Sequence, residues 1–157
     1  MSSMPMQAPD DPGTRKKRLR LWLNLLRTTR AMENRLREDM RLAYDLTLPR
    51  FEILAVLQRS ETGLRMTDLS SRLMVSNGNV TGIVERLVQD GLAERVPVPD
   101  DKRASIVRLT YKGEAVFAEM ADVHERWVDG LLSSISGAEA DAMIQRLTRV
   151  RRAGEGN

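Results

Sequence analysis

One stretch of the chain concentrates side chains suited to gripping or reading a polyanion. A helix expected from Ser76 to about Gln89 turns Val80, Ile83, Val84 and Leu87 one way. Gly78, Asn79, Thr81, Gly82, Glu85, Arg86 and Gln89 lie around its other side, with Ser76 and Asn77 at its start. Hydroxyls and amides of this kind donate to phosphates or base edges, and a guanidinium such as Arg86 reaches a phosphate or a guanine. Gly78 and Gly82 each cost a helix up to about 1 kcal/mol relative to alanine. That cost is tolerable if bulk there would hold the backbone away from a duplex. The competing explanation is relief of packing against a neighbouring loop, and serine or asparagine at a helix start is also an ordinary cap.

A second cluster sits in Pro97-Val98-Pro99-Asp100-Asp101-Lys102-Arg103-Ala104, a turn-rich tip loaded with charge. Asp101 precedes Arg103 by two residues, so its carboxylate can accept from the guanidinium or from loop N–H groups and hold the arginine extended. An arginine so presented can enter a minor groove, where negative potential is concentrated. The plainer alternative is an exposed ion pair worth about 0–1 kcal/mol.

Other chemistries are poorly provided for. There is no cysteine and only one histidine, His124, which removes disulfides, a thiol nucleophile and a thiolate metal site. No Gly-x-Ser-x-Gly elbow is present. His124, beside Glu125 and near Trp127, reads as a surface or interface residue rather than a catalyst, and no metal or cofactor is expected. A small all-α enzyme is therefore the weakest of the functional classes. No apolar run approaches the roughly 20 residues of a membrane span, and no secretory signal opens the chain, so a cytoplasmic protein without a membrane partner is expected.

The elements that must position these clusters follow from the apolar spacing. At 157 residues and 41% hydrophobic content, one domain with helical extensions can form a packed core. Residues 1–14, with Pro5, Pro9 and Pro12, read as a disordered tail. From Arg15 to 46, Trp22, Leu26, Thr29, Met32, Leu36, Met40 and Ala43 recur at steps of three or four, marking an amphipathic helix too long to bury its stripe alone. Residues 47–112 hold a helix opened by Pro49 and apolar almost all round from Phe51 to Leu57, then a short helix capped by Thr67. The helix from Ser76 follows, stopped by Gly91, and then two β patterns, Leu92–Val96 and Ser105–Leu109. Residues 113–152 carry two more helices: one capped by Thr110, the other opened by the capping box Ser136-Gly137-Ala138-Glu139. Residues 153–157 are a flexible end. The expected fold is thus mainly α with a small β-hairpin wing, a winged helix-turn-helix flanked by long terminal helices. Charge is uneven along it. Residues 15–41 have ten Lys/Arg against three acids, whereas 113–157 have five against eight. Such asymmetry suits a face presented to a polyanion, although a solvated helix surface can also be uneven.

Ser76-Asn77-Gly78-Asn79-Val80-Thr81-Gly82-Ile83-Val84-Glu85-Arg86-Leu87, then Asp90-Gly91-Leu92, Asp100-Asp101-Lys102-Arg103 and Leu109-Thr110-Tyr111-Lys112-Gly113, resemble the MarR family of bacterial transcription regulators. The resemblance covers roughly residues 20–150. It implies a homodimer with intertwined terminal helices, two winged domains astride a palindromic operator, Arg103 in the minor groove and the helix from Ser76 as the reading helix. The expected DNA-facing set is Thr67, Ser76, Asn77, Gly78, Asn79, Thr81, Gly82, Arg86, Asp101, Lys102 and Arg103. The dimer also answers the need of the long stripes for cover.

Leu21-Trp22-Leu23, Asp45-Leu46-Thr47-Leu48-Pro49-Arg50-Phe51 and Val75 to Gly82 are further similar to the branch of that family released from DNA by aromatic acyl-CoA thioesters of the hydroxycinnamoyl type. An effector between the long helices and the winged domain would meet Trp22 and Leu26 with a ring and Arg27, Arg30 and Arg50 with a carboxylate or phosphate. The run Arg15, Lys16, Lys17, Arg18 and Arg20 could attract the phosphates of coenzyme A, or equally grip flanking DNA. The expectation is a ligand-responsive dimeric repressor; the alternative is a winged-helix module that binds other proteins and has no effector.

Overall fold

In a computed structural model, residues 11–73 and 79–156 are described. The first helix, α1 (Pro12–Tyr44), begins three residues earlier than the apolar stripe suggests, because the Asp11 carboxylate accepts from the Gly13 N–H and Pro12 occupies the first turn. At 33 residues it is roughly 50 Å long. It closes at Asp45, whose left-handed φ of 49° ends the hydrogen-bond ladder. Thr47 then caps α2 (Leu48–Gln58), with Pro49 in its first turn as expected. Leu48, Phe51, Ile53, Leu54 and Leu57 of α2 are all buried, so this helix is the centre of the core.

A strand absent from the sequence reading follows. Leu64–Arg65 forms β1, pairing with Val107 and Ile106. Two residues of alternation are too few to signal a strand; only the partner reveals it. This pairing also displaces the expected cap. Arg65 runs straight from the sheet into α3 (Met66–Arg72), makes no side-chain cap, and leaves Thr67 inside the first turn. Ser76, Asn77 and Gly78 lie outside the described residues. The next helix, α4, spans Val80–Gln89 and is capped by Asn79 rather than opening at Ser76. Gly91, at φ 73°, turns the chain away from it.

The hairpin is longer than its apolar alternation: β2 covers Ala93–Val98 and β3 covers Asp101–Leu109. Sheet order is β1-β3-β2, all antiparallel. Pro97 is admitted because β2 is an edge strand, where a missing N–H need not break the ladder. Next come α5 (Tyr111–Leu131) and α6 (Gly137–Glu155), the latter with the full reciprocal capping box between Ser136 and Glu139. The molecule is therefore mostly helical, six helices among the described residues, with a small antiparallel sheet forming the wing.

One core joins these pieces: Met40 of α1, the inner face of α2, Leu69 of α3, Val84 and Leu87 of α4, Val107 of β3 and Met120 of α5. The joint between sheet and α5 is backbone-tight. A Cβ on Gly113 would lie 1.9 Å from the Leu92 carbonyl oxygen, so only glycine fits there. The Thr110 hydroxyl completes the joint, donating to the Gly91 carbonyl and accepting from the Gly113 N–H. These contacts account physically for the Leu-Thr-x-x-Gly run.

The ends of the chain behave differently. Nothing on α6 is buried, and Met143, Ile144, Leu147 and Val150 are exposed, as are Leu19, Leu21 and Trp22 on the first half of α1. His124 is half-buried. Its ring packs 4.7 Å from that of Phe51, which also stacks on Phe117. Among the described residues no helix is long and apolar enough to cross a membrane.

Candidate nucleic-acid interface

Two features are candidates for contact with a duplex, the start of α4 and the wing. At the α4 start the Asn79 side-chain oxygen Oδ1 accepts from the Gly82 N–H at 3.0 Å, satisfying one of the donors a helix start leaves open. A Cβ on Gly82 would come within 2.8 Å of the Asn79 amide nitrogen. The space beside Gly82 is thus taken up in part by the tip of its own capping side chain. Asn79 and Thr81 are exposed, while Val84 and Leu87 are buried, so the two-faced reading of this helix holds.

Arg86 is placed differently. It sits seven residues from Asn79, about 10 Å along the axis, and its Nε lies 3.4 Å from the Asp90 carboxylate. Asp90 also forms an ion pair with Arg50, whose side chain is only 16% exposed, and its carbonyl accepts from Lys112 Nζ at 2.9 Å. One carboxylate thus ties the end of α4 to the start of α2. Asp90 was absent from the sequence-derived set because nothing along the chain connects position 50 to position 90.

On the wing, β2 and β3 are joined through Pro99-Asp100. The register then jumps from Val98↔Asp101 to Pro97↔Ser105. Lys102, Arg103 and Ala104 consequently form a bulge, a device that re-aims side chains. Asp101 holds the bulge by accepting from the Arg103 backbone N–H at 3.0 Å. Of the two partners considered for that carboxylate, the structure selects the backbone, and Arg103 keeps an exposed guanidinium with no ion pair among the described residues. By contrast Arg108, on the same strand, is neutralised by Glu94 at 2.6 Å.

The expected effector residues do not form one site within a protomer. Trp22, Leu26 and Arg27 lie on the first half of α1, with Arg30 just past its middle, on the same helix as exposed Arg15, Lys16, Lys17 and Arg18. Arg50 instead faces a cavity of about 270 Å³ lined by Tyr44, Leu46, Arg86, Asp90 and Met120. From Trp22 to Tyr44 is roughly 33 Å of helix. Among the described residues there is no cluster of metal-ligating side chains.

The family model described as "MarR family" matches residues 44–104, from the end of α1 to the wing. A curated relative, the HTH-type transcriptional regulator BilQ of Clostridium symbiosum, is 32% identical over 94 residues, covering 58% of this chain and 65% of the relative. The chain thus spans slightly less than two thirds of that relative's length. A crystal structure of a MarR family transcriptional regulator from Silicibacter pomeroyi superposes with a TM-score of 0.73 at 29% identity, covering 93% of this chain and 99% of that one. The fold alone is shared with Sco3205, a MarR family transcriptional regulator from Streptomyces coelicolor solved in complex with DNA, at TM-score 0.77 and 22% identity, covering 94% and 92% of the two chains. These relatives are named as regulators of transcription rather than enzymes.

Proposed function

We propose that this chain is a MarR-family winged-helix transcription regulator, a reading that the family model, the relatives and the solved structures support, and that it acts as a homodimeric repressor. In this reading it binds a palindromic operator and leaves it when an aromatic acyl-CoA is bound. The observation that carries DNA binding is the wing: Asp101 spends its hydrogen bond on the backbone, so the bulge presents Arg103 with its charge unspent. Asn79 and Thr81 offer the reading helix, with Thr67, Lys102 and the segment Ser76–Gly78 completing the proposed contact set. Arg86, held toward Asp90, would reach only the far edge of such an interface.

Dimerisation is supported by apolar surface that one protomer leaves bare: Ile144 is 60% exposed and Val150 70%. Burying such side chains is worth roughly 1.5–3 kcal/mol each, and a two-fold axis applies each gain twice. The effector reading rests on Trp22 and Leu26 for the ring, on Arg27 and Arg30 just beyond them for a carboxylate or phosphate, and on Arg15, Lys16, Lys17 and Arg18 for coenzyme A phosphates. Arg50, at the other end of α1, belongs to the joint between α2 and α4. A ligand can release the operator only by binding the DNA-incompetent arrangement more tightly.

The test is a gel shift with the region upstream of the protein's own gene. Wild type shifts it; Arg103→Ala binds at least tenfold more weakly while remaining a folded dimer. Titration of the complex with hydroxycinnamoyl-CoA releases the DNA, and the free acid does not. Equal binding by Arg103→Ala removes the wing argument. Release by the free acid, or by neither compound, removes the acyl-CoA reading and leaves DNA binding intact.

A further inference from the structure

The side chain at the start of α4 divides its polar atoms between two tasks. Asn79 Oδ1 accepts from the Gly82 N–H and so caps the helix. Only an acceptor can meet that N–H, so chemistry fixes the amide's orientation, with the oxygen turned toward the helix and the nitrogen left over. Asn79 is exposed, and its Nδ2 has no hydrogen-bond partner among the described residues. Gly82 decides where that nitrogen rests. The three atoms nearest to a Cβ placed on Gly82 are Nδ2, Cγ and Oδ1 of Asn79, at 2.8, 3.2 and 3.7 Å. The amide therefore lies over the bare glycine, and a methyl group there would displace it.

This division restricts what Asn79 can read. A free asparagine amide pairs with adenine through both of its groups, Nδ2 donating to N7 and Oδ1 accepting from the N6 amino group. Here the oxygen is committed to the cap, and releasing it would reopen a donor at the helix start. What remains is a donor alone. In the major groove guanine offers adjacent acceptors, N7 and O6. Adenine and thymine offer one acceptor each, beside an amino or a methyl group, and cytosine offers only a donor.

We propose that Asn79, positioned by Gly82, is a donor-only reader that selects guanine in each half of the operator and rejects cytosine at the same position. This rests on the DNA-binding reading above and deepens it, from a helix that faces DNA to the base edge that one side chain accepts. Gly82 is a positioning residue in this arrangement: it touches no base, and it acts by leaving room for the amide.

The experiment selects binding sites from a library of randomised duplexes, then measures affinity for the selected duplex and its single-base variants. Wild type selects guanine at one symmetric pair of positions, and cytosine there weakens binding about tenfold. Asn79→Asp keeps the cap, because a carboxylate also accepts from the Gly82 N–H, but it presents an acceptor where the amide presented a donor. Its preference at that pair moves from guanine to cytosine, whose amino group donates, while the other positions keep theirs. Gly82→Ala displaces the amide and loses the preference at the same pair, with a Tm at or above that of wild type because alanine favours the helix. If the added charge abolishes binding by Asn79→Asp, Gly82→Ala decides: retention of the guanine preference overturns the reader, and its loss supports it. Wild-type selection of adenine at the pair that these variants alter, or no position altered by either variant, overturns the reader and leaves the proposed function standing. Failure of wild type to bind any duplex overturns both.

Discussion

His124 illustrates how packing gives one residue a measurable property. Burial against Phe51 pushes its imidazole below its ordinary pKa of 6.5, because desolvation penalises the charged ring. Below about pH 6.5 the unfolded chain takes up a proton that the folded chain accepts only at lower pH. Stability therefore falls as pH drops through that value. Glu139, held below its ordinary value by the Ser136 backbone N–H and hydroxyl, contributes above 4.5 and loses its contribution only as pH falls further. Urea midpoints at pH 7.5 and 5.5 should differ in wild type, and the difference should shrink in His124→Leu. An undiminished difference would place the titration elsewhere.

Among the elements, α4 depends on α2 through one carboxylate. Arg50 is largely covered, its Nε has no hydrogen-bond partner, and Asp90 is its counter-ion. Asp90→Ala leaves that guanidinium buried without compensation, a loss of about 1–3 kcal/mol. Arg86→Gln removes only the more exposed pair, worth about 0–1 kcal/mol. Chemical unfolding of the two variants should separate them in that order. Equal effects would mean that Asp90 serves Arg86 rather than the joint between α2 and α4. Because Asp90 closes the helix proposed to read DNA, loosening it should also weaken operator binding beyond the change in stability.

At the scale of the molecule, the winged domain shares one core with the end of α1 and with α5, whereas α6 and the first half of α1 bury little within one protomer. If the proposed dimer forms through these surfaces, deleting residues 136–157 gives monomer or insoluble protein, read by light scattering. A truncated chain that stays a monodisperse dimer would place the two-fold interface elsewhere. Charges introduced at Leu147 and Val150 provide the same test without shortening the chain. The expected result is again loss of the dimer, since each charge would have to be buried at a surface repeated by symmetry.

Local patterns were legible wherever a signal repeats or a cap is specific. The apolar steps of α1, the saturated run of α2, the Ser136–Glu139 box and the Thr110 cap each encode their structure within a few neighbouring residues. The small, polar side of α4 and the acid-x-Arg tip of the wing were visible for the same reason. What spacing along the chain could not supply were relations between distant positions. The strand Leu64–Arg65 exists only because β3 passes beside it, and that pairing displaces the cap expected at Thr67. The partner of Asp101 had two chemically acceptable answers, and the bulge chose the backbone. The Arg50–Asp90 pair joins residues 40 apart. Sequence determined which faces are apolar and which side chains are available, because these follow from residue type and helical or strand period. Tertiary structure decided which charges are neutralised and which remain free, because a counter-ion acts through space and its distance is set by the fold.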